Sequence, residues 1–262
     1  MLHKNIIPIN KRFLQNNLYG EDVTIDVFQE LDSTNNYLKV HDSPSQYHAC
    51  IAEQQTNGKG RTNNVWHSPY GQNIYLSISY YEDTLINTDG LSIAIGLSSL
   101  KAILNLEISN EFKIKWPNDL YFKDFKISGN LIEIIKKQNK FKIIIGIGIN
   151  INMDPIPQLQ INKWTSLKKI TNRDFDRNDI CKTLISNVIK DINIFNSQGL
   201  GHFIPLFKQY DYLKNKKICI SNNNDLIDGL YTGIDLNGHL LLKNKNDELL
   251  KFHSGDTSIY KK

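Results

Sequence analysis

The stretch Gln55-Thr56-Asn57-Gly58-Lys59-Gly60-Arg61-Thr62-Asn63-Asn64-Val65-Trp66 constrains this chain more than any other. It follows a short apolar run, Ala49-Cys50-Ile51-Ala52, that reads as a buried strand ending at Glu53. Two glycines one residue apart let a backbone turn tightly and approach a ligand closely. Lys59 and Arg61 alternate with them, so successive N–H groups and two cations can converge on one anion. The order is not that of a Walker A loop, and Asn63 stands where a dinucleotide fingerprint needs its third glycine. Alone, the loop reads better as an ordinary basic surface turn. Its company along the chain decides.

Upstream, 23–31 alternates Val23, Ile25 and Val27 as a strand, and Asp32 or Ser33 is a natural N-cap for a helix that follows. Downstream, 73–80 alternates again. Leu91, Ile95, Leu97, Leu100, Ile103 and Leu104 recur at helical spacing, which predicts an amphipathic helix over 91–106 covering a sheet. A short strand over 112–116 runs into Trp116-Pro117-Asn118-Asp119, where Pro117 favours an extended predecessor and Asn-Asp a turn. Strands over 119–122 and 126–135 flank a tight connection. The run Ile143-Ile144-Ile145-Gly146-Ile147-Gly148-Ile149-Asn150 is a strand whose glycines mark close approach of a ligand or of another part of the chain.

An irregular loop over 152–163 and helices over 177–195 and 203–213 come next. From 216 onward short alternating runs separated by turns such as Asn237-Gly238 predict a small β-barrel of about five strands. The expected division is 1–213 and 214–262, and the fold class α+β, a mixed or antiparallel sheet with packed helices. Residues 1–20 are too few for a helix-turn-helix unit, so no DNA binding is expected.

Composition excludes several classes. The net charge of +4 arises from 31 basic and 27 acidic residues spread along the chain, too mild and dispersed for a nucleic-acid binder. Cys50, Cys181 and Cys219 are far apart and form no Cys-x-x-Cys pair, which argues against disulfides and zinc and for a reducing cytoplasm. There is no long apolar segment and no signal-peptide core, so a membrane is not an expected partner. The seven histidines show no metal-ligand spacing, and no protein metal site is expected. No Ser-His-Asp or Cys-His signature points to a protein nucleophile.

Four pieces stand in a fixed order: Asp32-Ser33-Thr34-Asn35; 53–66; Lys115-Trp116-Pro117-Asn118-Asp119 with Lys126-Ile127-Ser128-Gly129-Asn130-Leu131; and Gly146-Ile147-Gly148-Ile149-Asn150. Together they closely resemble the biotin protein ligases, from about 23 to the C-terminus. The resemblance implies a fold like that of class II aminoacyl-tRNA synthetases, followed by an SH3-like barrel. It implies Mg²⁺-dependent activation of biotin by ATP to biotinoyl-AMP, then transfer to a lysine of a biotin carboxyl carrier protein, with a homodimer as a possible assembly. By position it puts biotin contacts on Ser33, Thr34, Asn35, Gln55, Lys59, Gly60, Arg61 and Lys126. Nucleotide contacts fall on the loop from Gly58 to Trp66, on Asn118 and on Asn150.

The chemistry of these side chains agrees. Attack of a carboxylate on an α-phosphate brings two anions together, and Lys126 and Arg61 can offset that repulsion. Hydroxyl and amide groups suit a ureido ring that both donates and accepts. A labile acyl-adenylate needs the basic loop folded over it to exclude water. Asp119 is the candidate to orient or deprotonate the acceptor lysine.

Two departures stand out. Bacterial members often carry Gly-Arg-Gly-Arg-Arg-Gly-Arg, whereas here Asn63 replaces a glycine and Asn64 a cation, which predicts faster escape of the intermediate. Asn130 replaces an isoleucine and is expected to alter packing beneath Lys126. Rival readings are a lipoate or octanoate ligase, a biotin-responsive transcription regulator and a module that binds biotin without chemistry. The Asp-Ser-Thr-Asn and Lys-Trp-Pro-Asn-Asp segments favour biotin over lipoate.

Overall fold

A computed structural model of the chain describes residues 6–154, 164–222, 225–254 and 257–261. Most of the irregular loop expected over 152–163 lies outside the described residues.

A seven-stranded sheet has the order β1-β2-β3-β7-β6-β5-β4. Strands β1 (Val23–Leu31) and β2 (Tyr47–Gln55) pair in parallel and are joined by α2 (Thr34–Val40), since parallel neighbours need a crossover. Strands β3 (Ile74–Glu82), β7 (Lys140–Ile149), β6 (Phe125–Lys137), β5 (Asp119–Phe122) and β4 (Phe112–Lys115) continue it antiparallel. Alternation along each strand splits the sheet into two unlike faces. On one, Ala49, Ile51, Leu76, Ile78, Ile143, Ile145 and Ile147 belong to the main apolar core.

Helices α1 (Lys11–Asn17) and α4 (Leu167–Thr171) are short, whereas α3 (Thr88–Leu104) and α5 (Arg177–Gln198) are long, pack together and both contribute to that core. Helix α3 is not the amphipathic helix its leucines predict. It is buried on nearly every side, Ser98 and Ser99 included, because α5 covers the flank that would otherwise meet water. Asp191 of α5 accepts from Ser98 Oγ at 2.6 Å and pairs with Lys101 Nζ at 2.5 Å, so the polar groups buried with α3 are answered.

The same core holds a second ion pair. Glu53 Oε2 meets Arg177 Nη1 at 2.6 Å, both side chains at most 2% exposed. Ile9 N–H donates to Glu53 Oε1, while Arg177 donates to the carbonyls of Ile7 and Asn73 at 2.7 and 3.2 Å. This cluster ties the lead-in segment and β2 to the first turn of α5.

The other face is stripped of bulk. Directly opposed residues share a face, and one row across the sheet reads Ala52, Tyr75, Gly148, Gly129, Asp119. The next reads Cys50, Ser77, Gly146, Leu131. Gly129, Gly146 and Gly148 in these rows leave a trough above β7 and β6.

After the short α6 (Ile204–Tyr210), which takes Pro205 in its first turn, a five-stranded antiparallel sheet has the order β11-β10-β9-β8-β12. Its strands are β8 (Lys217–Asn222), β9 (Asp225–Ile234), β10 (Leu240–Asn244), β11 (Leu249–Phe252) and β12 (Thr257–Lys261). Ile218, Ile220, Tyr231, Leu240, Leu242 and Phe252 join the same apolar cluster as the main sheet. The Asn237-Gly238 turn docks on the larger unit: Gly238 C=O accepts from Trp116 Nε1 at 2.8 Å, and Asn237 C=O accepts from Asn87 Nδ2 at 2.8 Å. Gly238 has φ +85°, and a Cβ there would lie 2.9 Å from Gly90 N. Among the described residues no helix is long and apolar enough to cross a membrane.

Candidate active site

The trough opens into a cavity of about 700 Å³. Its glycines are needed for what lies on them. A Cβ on Gly146 would fall 2.4 Å from Asn35 Oδ1, one on Gly148 2.3 Å from the Trp66 ring, and one on Gly129 3.0 Å from both Asp119 Oδ1 and Lys126 Nζ. Three side-chain groups from three directions thus rest on bare backbone.

One end of the cavity is neutral and polar. Ser33 occupies the N-cap position of α2, yet its side chain makes no capping bond, so the hydroxyl is not spent on the helix. Gln55 Oε1 accepts from Thr34 N–H at 2.9 Å and from Thr34 Oγ1 at 3.1 Å, while Gln55 Nε2 donates to Ser68 Oγ at 3.0 Å. Buried Ser77 lies within 2.6 Å of Thr34 Oγ1 and 2.5 Å of Asn35 Oδ1. Asn35 Nδ2 donates to Glu133 at 2.8 Å, and Lys39 neutralises Glu133 at 2.6 Å. The result is a fixed set of hydroxyl and amide groups, each oriented by another.

The middle is cationic. Lys126 Nζ sits 2.6 Å from Asp119 Oδ1 and 5.4 Å from the centre of the Trp66 ring, with 31% of its side chain exposed. Arg61 donates to Asn118 Oδ1 at 3.3 Å and to the Ser254 carbonyl of the second sheet. Burial pulls the Arg61 guanidinium below its ordinary value, opposed by the fields of Asp119 and Asp89; a guanidinium stays charged regardless. Lys59 is exposed at the rim and donates to Asn36 Oδ1 at 3.2 Å.

The loop is a narrow hairpin. Lys59 and Val65 form an antiparallel bridge, Trp66 N–H donates to Gly58 C=O at 2.9 Å, and Gly60 N–H donates to Asn64 C=O at 2.7 Å. Thr62 takes a left-handed φ of 50° at its tip. Gly58 is required by contact, since a Cβ would meet Trp66 O at 2.5 Å.

Ser33, Thr34, Asn35, Gln55, Lys59, Gly60, Arg61, Trp66, Asn118, Asp119, Lys126 and Asn150 all line this cavity, and Gly58 lines an adjoining pocket. Asn118 and Asn150 line it with part of their amides already spent. Asn118 Nδ2 donates to Asn130 C=O at 2.6 Å, and Asn150 Nδ2 to Thr165 C=O at 3.1 Å.

Asn130 does not lie beneath Lys126, where Gly129 stands. Its amide reaches α3, accepting from Ser92 Oγ at 2.9 Å and donating to Ser92 C=O at 3.0 Å, because neighbours in a strand point to opposite faces. Reasoning from sequence missed Ser77, Glu133 and Ser254. Ser77 carried a signal, a small hydroxyl within the strongly apolar and aromatic β3; the other two reach the site only through tertiary pairing. Two histidines far apart in sequence, His239 and His253, meet Asp89 beside Ser254.

A model of the biotin/lipoate A/B protein ligase family matches residues 27–150. The bifunctional ligase/repressor BirA of Escherichia coli K12 is 32% identical over 242 residues, covering 90% of this chain and 74% of that protein. The chain belongs to the biotin protein ligases. Biotin–protein ligase 2 of Arabidopsis thaliana is 25% identical to this ligase over 219 residues, covering 80% of it and 66% of the plant protein. The biotin protein ligase of Aquifex aeolicus, solved in complex with biotin and ATP, superposes on it with a TM-score of 0.80. That match has 27% identity and covers 91% of this ligase and 99% of the Aquifex chain.

Proposed function

We propose that this ligase joins biotin to ATP in the cavity above Gly146 and Gly148 and passes the biotinoyl group to a lysine of a biotin carboxyl carrier protein. The observation that carries this reading is the junction of two environments in one cavity, a neutral hydroxyl–amide end and a cationic middle. A ureido ring asks for the first and a carboxylate meeting a phosphate asks for the second.

In the first step a biotin carboxylate oxygen bonds to the α-phosphorus and pyrophosphate leaves with the electrons of the broken P–O bond. Lys126, oriented by Asp119, offsets the charge of the two reacting anions, and Arg61 reaches the same region from the hairpin. Ser33, Thr34, Asn35 and Gln55 hold the ring, Lys59 and Gly60 close the near side, and Trp66 walls the joint from solvent. Asn118, Asn150 and the loop from Gly58 face the nucleotide. Asp119 is the one carboxylate lining the cavity among the described residues, which fits a Mg²⁺ held mainly by triphosphate oxygens and only lightly by protein. When bound, that ion neutralises phosphate charge.

In the second step the acceptor amine bonds to the acyl carbon and AMP departs. The amine proton goes to Asp119, which lines the cavity 2.6 Å from Lys126 Nζ. The same reading divides the chain into a catalytic unit, 1–213, and a C-terminal unit, 214–262. An ATP–pyrophosphate exchange assay tests the reading. Exchange dependent on biotin and absent with lipoate is expected; exchange with lipoate alone would overturn it.

A further inference from the structure

Where the second sheet meets the start of α3, three side chains distant in sequence converge. Asp89 lies in the first turn of α3, His239 follows the Asn237-Gly238 turn, and His253 follows β11. Their donor atoms all lie within 4.8 Å of one another. Asp89 Oδ2 is 3.9 Å from His239 Nε2 and 3.8 Å from His253 Nδ1. Ser254 fixes the carboxylate, its Oγ–H donating to Oδ1 and its N–H to Oδ2 at 3.3 Å.

We propose that Asp89, His239 and His253 bind one late first-row divalent ion, of the Zn²⁺ class, that pins the second sheet to the N-terminus of α3. The orientation of His239 is the strongest ground. Its Nδ1 lies 3.1 Å from Asp235 Oδ2, so an Nδ1–H donated to Asp235 leaves Nε2, which faces Asp89, as the ligating nitrogen. A carboxylate behind the far nitrogen is how proteins set the tautomer of a ligating imidazole.

A proton or a metal ion can stand between an imidazole nitrogen and a carboxylate oxygen. Distance separates the two. A proton shared in a hydrogen bond draws the heavy atoms to about 2.7–3.2 Å. Two ligands on a tetrahedral ion with bonds of about 2.0–2.1 Å stand about 3.3 Å apart. The observed 3.8 and 3.9 Å lie beyond the first and one small closure from the second.

The imidazole centres are 4.0 Å apart, close enough for both rings to reach one ion. Two imidazoles and a carboxylate are a donor set for Zn²⁺ and its neighbours, and three protein ligands leave a fourth position open. The His253 side chain is 66% exposed, which gives the ion a way in.

The full chain, freed of metal by dialysis against a chelator, is titrated with Co²⁺ followed by its visible d–d bands, and with Zn²⁺ in competition with a chromogenic chelator. One ion per chain is expected. Affinity should fall at least about 100-fold in His253→Ala and about 10–100-fold in Asp235→Asn, and be unchanged in His202→Ala. Because His253 is exposed, that variant keeps its fold, which an unchanged metal-free urea midpoint verifies. Equal Co²⁺ and Zn²⁺ affinity in the parent chain and in His253→Ala, or binding lost equally in His202→Ala, would overturn the site.

Discussion

Two ion pairs on opposite faces of one sheet have the same length and opposite circumstances. Glu53–Arg177 and Asp119–Lys126 both close at 2.6 Å. The first is sealed, and its guanidinium also serves two backbone carbonyls while its carboxylate also takes the Ile9 N–H. The second keeps 31% of its lysine and 21% of its aspartate open to a cavity floored by glycine. Distance therefore says nothing about role. What separates a structural pair from a working one is whether charge remains to be offered to a third party.

The comparison is broken most severely by Glu53→Ala, which leaves the Arg177 charge buried and is expected to cost about 3–5 kcal/mol. For a chain of this size that lowers Tm by roughly 10 °C. Differential scanning calorimetry measures it, and a Tm within about 2 °C of the parent would show the pair is not needed. Lys126→Ala is expected to do the reverse. Biotin-dependent pyrophosphate exchange should fall by about 10²–10³, with the urea midpoint nearly unmoved. Comparable losses of stability in both variants would erase the distinction.

Smaller changes sharpen it. Gly148→Ala puts a methyl where the Trp66 ring lies, and the displaced ring should raise KM for biotin about tenfold, or about 1.4 kcal/mol. An unaltered KM would mean the ring yields freely. The smallest effect is that of Asn64→Arg. It adds an exposed cation to the hairpin and, at less than about 1 kcal/mol, should lengthen the half-life of enzyme-bound biotinoyl-AMP a few-fold. Equal half-lives would show that the asparagine costs the ligase nothing.

Much of this molecule was legible in the chain because its signals are local. Alternation and short apolar runs located the strands of the larger sheet and four of the five in the smaller, and Gly146 with Gly148 announced a close approach. What approaches them was not legible: Asn35 comes from α2 and Trp66 from the hairpin, and only strand register brings them there. The same limit hid Ser254 under Arg61. Helix α3 was misread for another reason. A helix covered on both flanks has no polar stripe, so its leucines reported burial without reporting how many partners supply it.

The Asn237-Gly238 turn has an evolutionary consequence. Any side chain at 238 would strike the backbone of Gly90 and dislodge the carbonyl on which the Trp116 indole hangs, two residues before Asn118. A lesion far out in the chain would then be inherited as a warped pocket wall. Random screens for lost biotinylation should recover variants in this distant hairpin alongside those in the cavity itself.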